Sequence, residues 1–168
     1  MTFDALDLLF PIILAIHNID EYSCYDDFVR AFHPRLAKKL TTRRVIRDAA
    51  ILLTLAVAVL GALTYVYKGA VLTMISKVAI FALLLNGIGH CVLSIKRRAL
   101  VPGTLSAVAL VLPYSVIAIV IMRTSTGDTF RSLFCYALFG ALSIPLAVLS
   151  FLWISYGLSQ LIAHTRKR

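Results

Sequence analysis

From Ala49 to Tyr67 the chain reads AAILLTLAVAVLGALTYVY, nineteen residues without a charge. As an α-helix this stretch is about 28 Å long, close to the roughly 30 Å of hydrocarbon in a bilayer. A backbone in hydrocarbon has to satisfy its own N–H and C=O groups, so the stretch is predicted to be a membrane-spanning helix. Five segments have the length to cross, near residues 3–23, 48–67, 70–95, 102–123 and 131–162. The whole chain is 60% hydrophobic and only 15% charged, too little charge for an ordinary soluble domain. The expectation is an all-α, polytopic transmembrane bundle, a single domain over residues 1–168. The second and third segments are joined by little more than YKGA, which forces an antiparallel pair.

A net charge of +9 would suit a nucleic-acid binder if it covered one soluble face. Instead the basic residues fall between apolar runs. Arg30, Arg35, Lys38, Lys39, Arg43, Arg44 and Arg47 follow the first segment, and Lys96, Arg97 and Arg98 follow the third. Arg166, Lys167 and Arg168 close the chain, while Lys68, Arg123 and Arg131 fall on the opposite side. Basic loops stay in the cytoplasm, so the N-terminus is expected outside and the C-terminus inside. An odd number of spans requires the same arrangement. No nucleic-acid partner is expected; the basic segments are expected to meet anionic lipid of the inner leaflet. Asp4 and Asp7, where a basic n-region would stand, speak against a cleaved signal peptide. Within segment 26–47, Phe28, Phe32, Leu36 and Leu40 recur every fourth residue. They predict a short amphipathic helix on the inner surface, bent at Pro34, with a basic loop as the alternative. Cys24, Cys91 and Cys135 show no paired or metal-ligand spacing and read as packing residues.

Ionisable groups inside a span cost roughly 2.5–3.5 kcal/mol each on insertion scales, so they are functional candidates. In the first span His17, Asp20 and Glu21 stand at i, i+3 and i+4, on one helical face. In the third, NGIGH sets Asn86 and His90 at i and i+4, with Gly87 and Gly89 leaving room for a close neighbour. Measured from Lys96, Asn86 lies about 15 Å deep and His90 about 9 Å; from Asp26, His17 lies about 13 Å deep and Glu21 about 7–8 Å. Both groups therefore fall in one layer, nearer the cytoplasm.

HNIDE, then NGIGH, then LVPG at residues 100–103 together resemble the HXXEE family of small bacterial membrane proteins. Its marks are H-x-x-E-E near the N-terminus, N-x-x-x-H in a later helix and Pro-Gly at the head of the next. The resemblance implies a site of His17, Asp20, Glu21, Asn86, His90, Pro102 and Gly103 in a multi-pass protein of the cell inner membrane. It departs at Asp20, where the family has glutamate, and at Leu100, where an aromatic residue is expected. The family has no established activity, so the resemblance implies a site rather than a reaction.

Three readings of the site follow from its chemistry. In the first, His17, Glu21 and His90 hold a divalent metal of the zinc or iron class and leave a position open for water. Asp20, Glu21 and Asn86 then serve catalysis, in hydrolysis or group transfer on a lipid-like or membrane-bound substrate. In the second, a carboxylate beside histidine works without metal, as general base or as the proton carrier of a coupled transporter. In the third, the polar groups only fix helix packing.

Pro102 and Gly103 are expected to start a helix near the site, with Pro102 in its first turn. In a functional version the free N–H groups of that helix face an anionic substrate. Tyr156 and Gln160, in the same layer of the last span, are expected to line the pocket, with an interfacial anchor alongside Trp153 as the equal alternative for Tyr156. Lys77 is expected to snorkel to the outer surface. Pro113 and Pro145 are expected to kink their helices. His33 and His164 read as solvated surface residues. The sequence holds no phosphate-cradling loop, nucleophile elbow or dinucleotide fingerprint.

Overall fold

A computed structural model describes residues 3–32 and 38–165, and among them it contains helices and turns but no strand. Helices α1 (Phe3–Ser23), α2 (Tyr25–Phe32), α3 (Arg43–Tyr67), α4 (Ala70–Arg97), α5 (Thr104–Ser125) and α6 (Phe130–Thr165) follow in order. Four of them, α3 to α6, are long and apolar enough to cross a membrane. Helix α1 has 21 residues but carries Asp4, Asp7, Asp20 and Glu21.

Local chemistry sets the ends. α3 starts at Arg43, a turn ahead of the expected residue 48, because the Thr42 hydroxyl accepts the Val45 N–H and caps it. At its other end Lys68 takes a left-handed conformation (φ 47°) and donates its N–H to the Thr64 carbonyl, closing the tight turn into α4. α5 starts at Thr104, so Pro102 precedes the helix instead of standing in its first turn. Its second turn, Ala107–Val111, is a π-helix. Pro113 has no N–H to offer the Ala109 carbonyl, and the widened turn makes room for its ring.

Exposed apolar stripes cover the outside, such as Ile51, Leu55, Val59 and Leu63 along α3. In water such faces would be an aggregation hazard; against lipid tails they are the natural surface. α1 packs against α3 and α5, and α4 packs against α5 and α6, with α3 against α6 closing the circuit. Gly61 of α3 lies so close to α1 that a Cβ there would sit 3.0 Å from the Asp7 carbonyl oxygen. Gly140 of α6 lies against the backbone of α4 in the same way, 2.8 Å from the Ala82 nitrogen. The main core joins Phe3, Leu6, Phe10 and Leu14 of α1 to Ile80, Phe81 and Leu83 of α4 and to Val111, Tyr114, Ala118 and Met122 of α5. A smaller cluster, Val45, Ile46, Ala49 and Leu152, lies at the basic end with Tyr22, Phe151 and Tyr156 against it.

The expected surface helix is seen in part, as α2. Leu40 is buried in the turn before α3 rather than on that helix. His33, Pro34, Arg35, Leu36 and the tail Arg166–Arg168 lie outside the described residues, as do the side chains of Phe28, Arg30 and Phe32.

Candidate functional site

The inward stripe of α1 runs Phe3, Leu6, Phe10, Leu14 and then His17, three or four residues apart. The packing that buries the apolar members therefore carries His17 into the bundle, where it is fully buried. His90 of α4 arrives opposite it, also fully buried, with ring centroids 4.8 Å apart and nearly perpendicular. Glu21 stands between the imidazoles. Its Oε1 lies 3.3 Å from His17 Nε2 and 2.8 Å from His90 Nε2. One ligand atom from each of the three residues falls within 4.8 Å of the others. Asn86 completes the group, its Nδ2 3.0 Å from His17 Nε2.

The hydrogen bonds around the rings decide their tautomers. His90 Nδ1 lies 2.7 Å from the Pro102 carbonyl oxygen, which can only accept, so Nδ1 carries the proton. His17 Nδ1 lies 2.8 Å from Ser106 Oγ. The Ser106 hydroxyl has one proton, and its other partners, Asp20 Oδ2 at 2.8 Å and the Gly103 carbonyl at 3.1 Å, are pure acceptors. His17 Nδ1 is therefore also a donor, and its Nε2 accepts the Asn86 amide. Both rings bring Nε2 to the same carboxylate oxygen; at 2.8 Å from an oxygen that only accepts, His90 Nε2 donates a proton unless a metal ion takes that proton's place. Metal-binding histidines are typically oriented in this way, by donating their other N–H to a carbonyl or a carboxylate-linked group.

Gly103 gives the site its room. It has φ +85°, and a Cβ on it would sit 2.6 Å from His90 Cε1 and 2.9 Å from Glu21 Cγ. Gly87 allows a similar approach of α5, since a Cβ there would sit 2.9 Å from Val111 Cγ1. Gly89 has nothing within 4 Å of such a Cβ and does not serve helix contact.

Asp20 reaches His17 through Ser106, in keeping with a supporting role. No hydrogen bond joins it to either imidazole. Its Oδ2 accepts the Ser106 backbone N–H at 3.0 Å as well as the hydroxyl. Ser106 is the third residue of α5, so Asp20 caps that helix from α1 and the chain itself supplies the anion expected at its N-terminus. Pro102 and Gly103 do adjoin the site. Tyr156 and Gln160 do not. The inward face of α6 runs Val148, Leu152, Ser155 and Ser159, which turns Gln160 outward to an exposed position. Tyr156 packs instead in the aromatic group at the basic end, beside Trp153 and beneath Lys39.

Ser106 was missed by sequence reasoning. Serine is common in spans, yet the Pro-Gly start of α5 places it third in the helix, where a free N–H awaits a carboxylate. Lys77 reaches the end of the bundle opposite the basic segments but does not end in solvent: Nζ lies 2.5 Å from Asp128 Oδ2 and 3.0 Å from Thr126 Oγ1, in the loop before α6. Asp7 is buried as well and accepts a hydrogen bond from Ser76 of α4.

Four helices of membrane length mark a multi-pass membrane protein, and among the described residues it carries a His/Glu/His/Asn group in which both imidazoles are buried. It belongs to the family described as proteins of unknown function with an HXXEE motif, whose model matches residues 8–118. The matched span takes in every residue of the site. No curated protein and no solved structure matches the chain.

Proposed function

We propose that this protein is a membrane-embedded enzyme of the inner membrane, with five spans, whose His17, Glu21 and His90 hold a divalent metal of the zinc or iron class. The reaction class is hydrolysis or group transfer on a lipid-like substrate. One observation carries the reading: both imidazoles have Nδ1 committed elsewhere and converge through Nε2 on Glu21 Oε1. A cation has to lie among these groups, a proton on His90 Nε2 or a metal ion, and the convergence of three side chains of the kinds that divalent ions take favours the metal. The 3.3 Å between His17 Nε2 and Glu21 Oε1 is that of ligands on a tetrahedral ion at ~2.0–2.1 Å, while the 2.8 Å from His90 Nε2 to the same oxygen is a hydrogen-bond distance that would have to widen around an ion.

A divalent ion here would supply Lewis acidity and bring the pKa of a water toward about 7. The chain's own residues do the rest. Asp20 and Ser106 hold the His17 tautomer, the Pro102 carbonyl holds that of His90, and Asn86 offers its amide at the rim of the centre. Glu21 is the one member that also faces a groove open to the outside of the bundle.

The arrangement favours chemistry over proton-coupled transport. The Asp7–Ser76 pair is the nearest buried carboxylate toward the outer end. Phe10, Leu14, Ile80, Leu83 and Val111, all buried, lie between it and the site. Among the described residues no polar path crosses that layer.

The test is metal analysis of protein purified without a histidine tag. About one equivalent is expected in the wild type, falling several-fold in His17→Ala and Glu21→Ala, with both variants still folded. Absence of bound metal in every preparation overturns the reading.

A further inference from the structure

A groove with a cavity of about 80 Å³ runs between α1, α3 and α6. Its apolar wall is Ile46, Ala49, Leu53, Val148, Phe151 and Leu152, and α1 adds Asn18, Glu21 and Tyr22. Along α3 it extends from Ile46 to Leu53, about 10 Å at 1.5 Å per residue. Its inner end meets a polar bar, where Asn18 Nδ2 donates to Thr54 Oγ1 at 3.0 Å. Its other end opens at the basic edge of the bundle.

Two cations flank that mouth. Arg43 lies over the rings of Tyr22 and Tyr25 at 5.7 and 5.5 Å, one turn before Ile46. Lys39 lies over Trp153 and Tyr156 at 5.0 and 5.4 Å, one turn beyond Leu152. Their neighbours Arg44 and Arg47 both pair with Asp48. Among the described residues Lys39 and Arg43 pair with no carboxylate. The groove thus has at its entrance two positive charges stacked on aromatic rings without a carboxylate partner, and Glu21 in its wall.

We propose that this groove holds one acyl chain of an anionic membrane amphiphile, whose head is held by Lys39 and Arg43. The chain enters from the leaflet at the basic end, with its terminus toward Asn18 and Thr54. The bond nearest the head then lies beside Glu21, and so beside the centre formed with His17 and His90. The relevance of this placement to chemistry rests on the proposed function; the binding itself does not. The occupant is anionic because of the two cations, and single-chained because the groove is small, with a cavity of about 80 Å³. The length of the slot sets an upper limit on the chain beyond Glu21.

The probe is a fatty acid with a mid-chain photoactivatable diazirine, compared with the uncharged alcohol of the same chain. Full-length protein in neutral phosphatidylcholine nanodiscs is irradiated and the adducts are mapped by mass spectrometry. Adducts are expected on residues 46–53 and 148–152. Ala49→Phe, or the milder Ala50→Leu, fills the slot and should lower the acid adducts there about tenfold. The pair Lys39→Ala with Arg43→Ala should lower the acid adducts about fivefold and leave the alcohol nearly unchanged. Adducts spread equally over lipid-facing Ile51 and Leu55, or indifferent to the filling variants, overturn the proposal. So does a photoreactive residue at position 151 that cross-links to this chain's own segment 33–37 or to a second copy. Slot adducts without bound metal in any preparation support the amphiphile site and overturn the metal centre. Bound metal without slot adducts does the reverse.

Discussion

At the scale of single residues, Gly103 is the position on which the site's geometry turns. Its left-handed φ already costs a substituted residue about 1–3 kcal/mol, and a Cβ would press on both His90 and Glu21. Gly103→Ala is therefore expected to lower stability by at least ~2 kcal/mol and to reduce metal content, read by thermal melting and elemental analysis. Ser106 acts through another residue. Ser106→Ala leaves His17 Nδ1–H and the Asp20 carboxylate each short of a partner, and metal affinity is expected to fall about 10–100-fold. Asp20→Asn still offers an oxygen to the Ser106 N–H and should fall much less. Equal losses in the two variants would count against the positioning role. The histidines and Glu21 were legible in the sequence because a three- and four-residue spacing puts them on one helical face at one depth. Ser106 was not, because its role depends on where α5 begins, and the helix starts after Pro102 rather than with it.

At the scale of helices, the spans were legible because apolar length is set by bilayer thickness, which no tertiary contact overrides. What the pattern left out is how the ends are fastened. The loop between α5 and α6 is an example. Lys77 crosses to it from α4, and Thr126, Tyr136 and Lys77 all contact Asp128. Burial opposes ionisation of Asp128. The hydrogen bonds from Lys77, Thr126 and Tyr136 outweigh it and hold the carboxyl below its ordinary 3.8. A carboxyl depressed in the folded state stabilises the fold above its unfolded pKa, and that contribution is lost as pH falls through the folded value. Asp128→Asn should therefore lower the melting temperature at neutral pH. Its difference from the wild type should shrink as pH falls below about 4 and on through the depressed folded pKa, beneath which both carry an uncharged group. A gap independent of pH between 3 and 7 would assign the loop's stability to packing alone. The outward turn of Gln160 shows the same limit of pattern reading: depth along a span can be counted from its end, but which face of a 36-residue helix turns inward depends on its partners.

At the scale of the whole molecule, the open question is whether α1 is a fifth span. Its acidic residues set it apart from the other four in composition, yet Asp7 and Asp20 are held inside the bundle. Asp7 is buried against α4 and Asp20 binds the start of α5, while Leu8, Ile12, Ile16 and Ile19 form its exposed face. Contacts run along much of its length, from the Leu6 carbonyl under the Tyr114 hydroxyl to Asp20 at the start of α5. Leu6 faces Tyr114 and Asp20 faces Ser106, so α1 runs opposite to α5; Asp7 faces Ser76 and His17 faces Asn86, so it runs parallel to α4. That alternation fits an odd number of crossings with the N-terminus outside and the basic segments in the cytoplasm. Thiol labelling of intact cells distinguishes the cases, in a background with Cys24, Cys91 and Cys135 changed to serine. An impermeant maleimide should reach Thr2→Cys and Gly127→Cys directly, and Ala99→Cys only after the membrane is opened. The N-terminal position decides between topologies, because a four-span chain with the same loops would place it beside the basic segments. Protection of Thr2→Cys in intact cells would remove α1 from the bilayer and, with it, the burial in hydrocarbon that makes a His/Glu/His group there so costly to keep without a function.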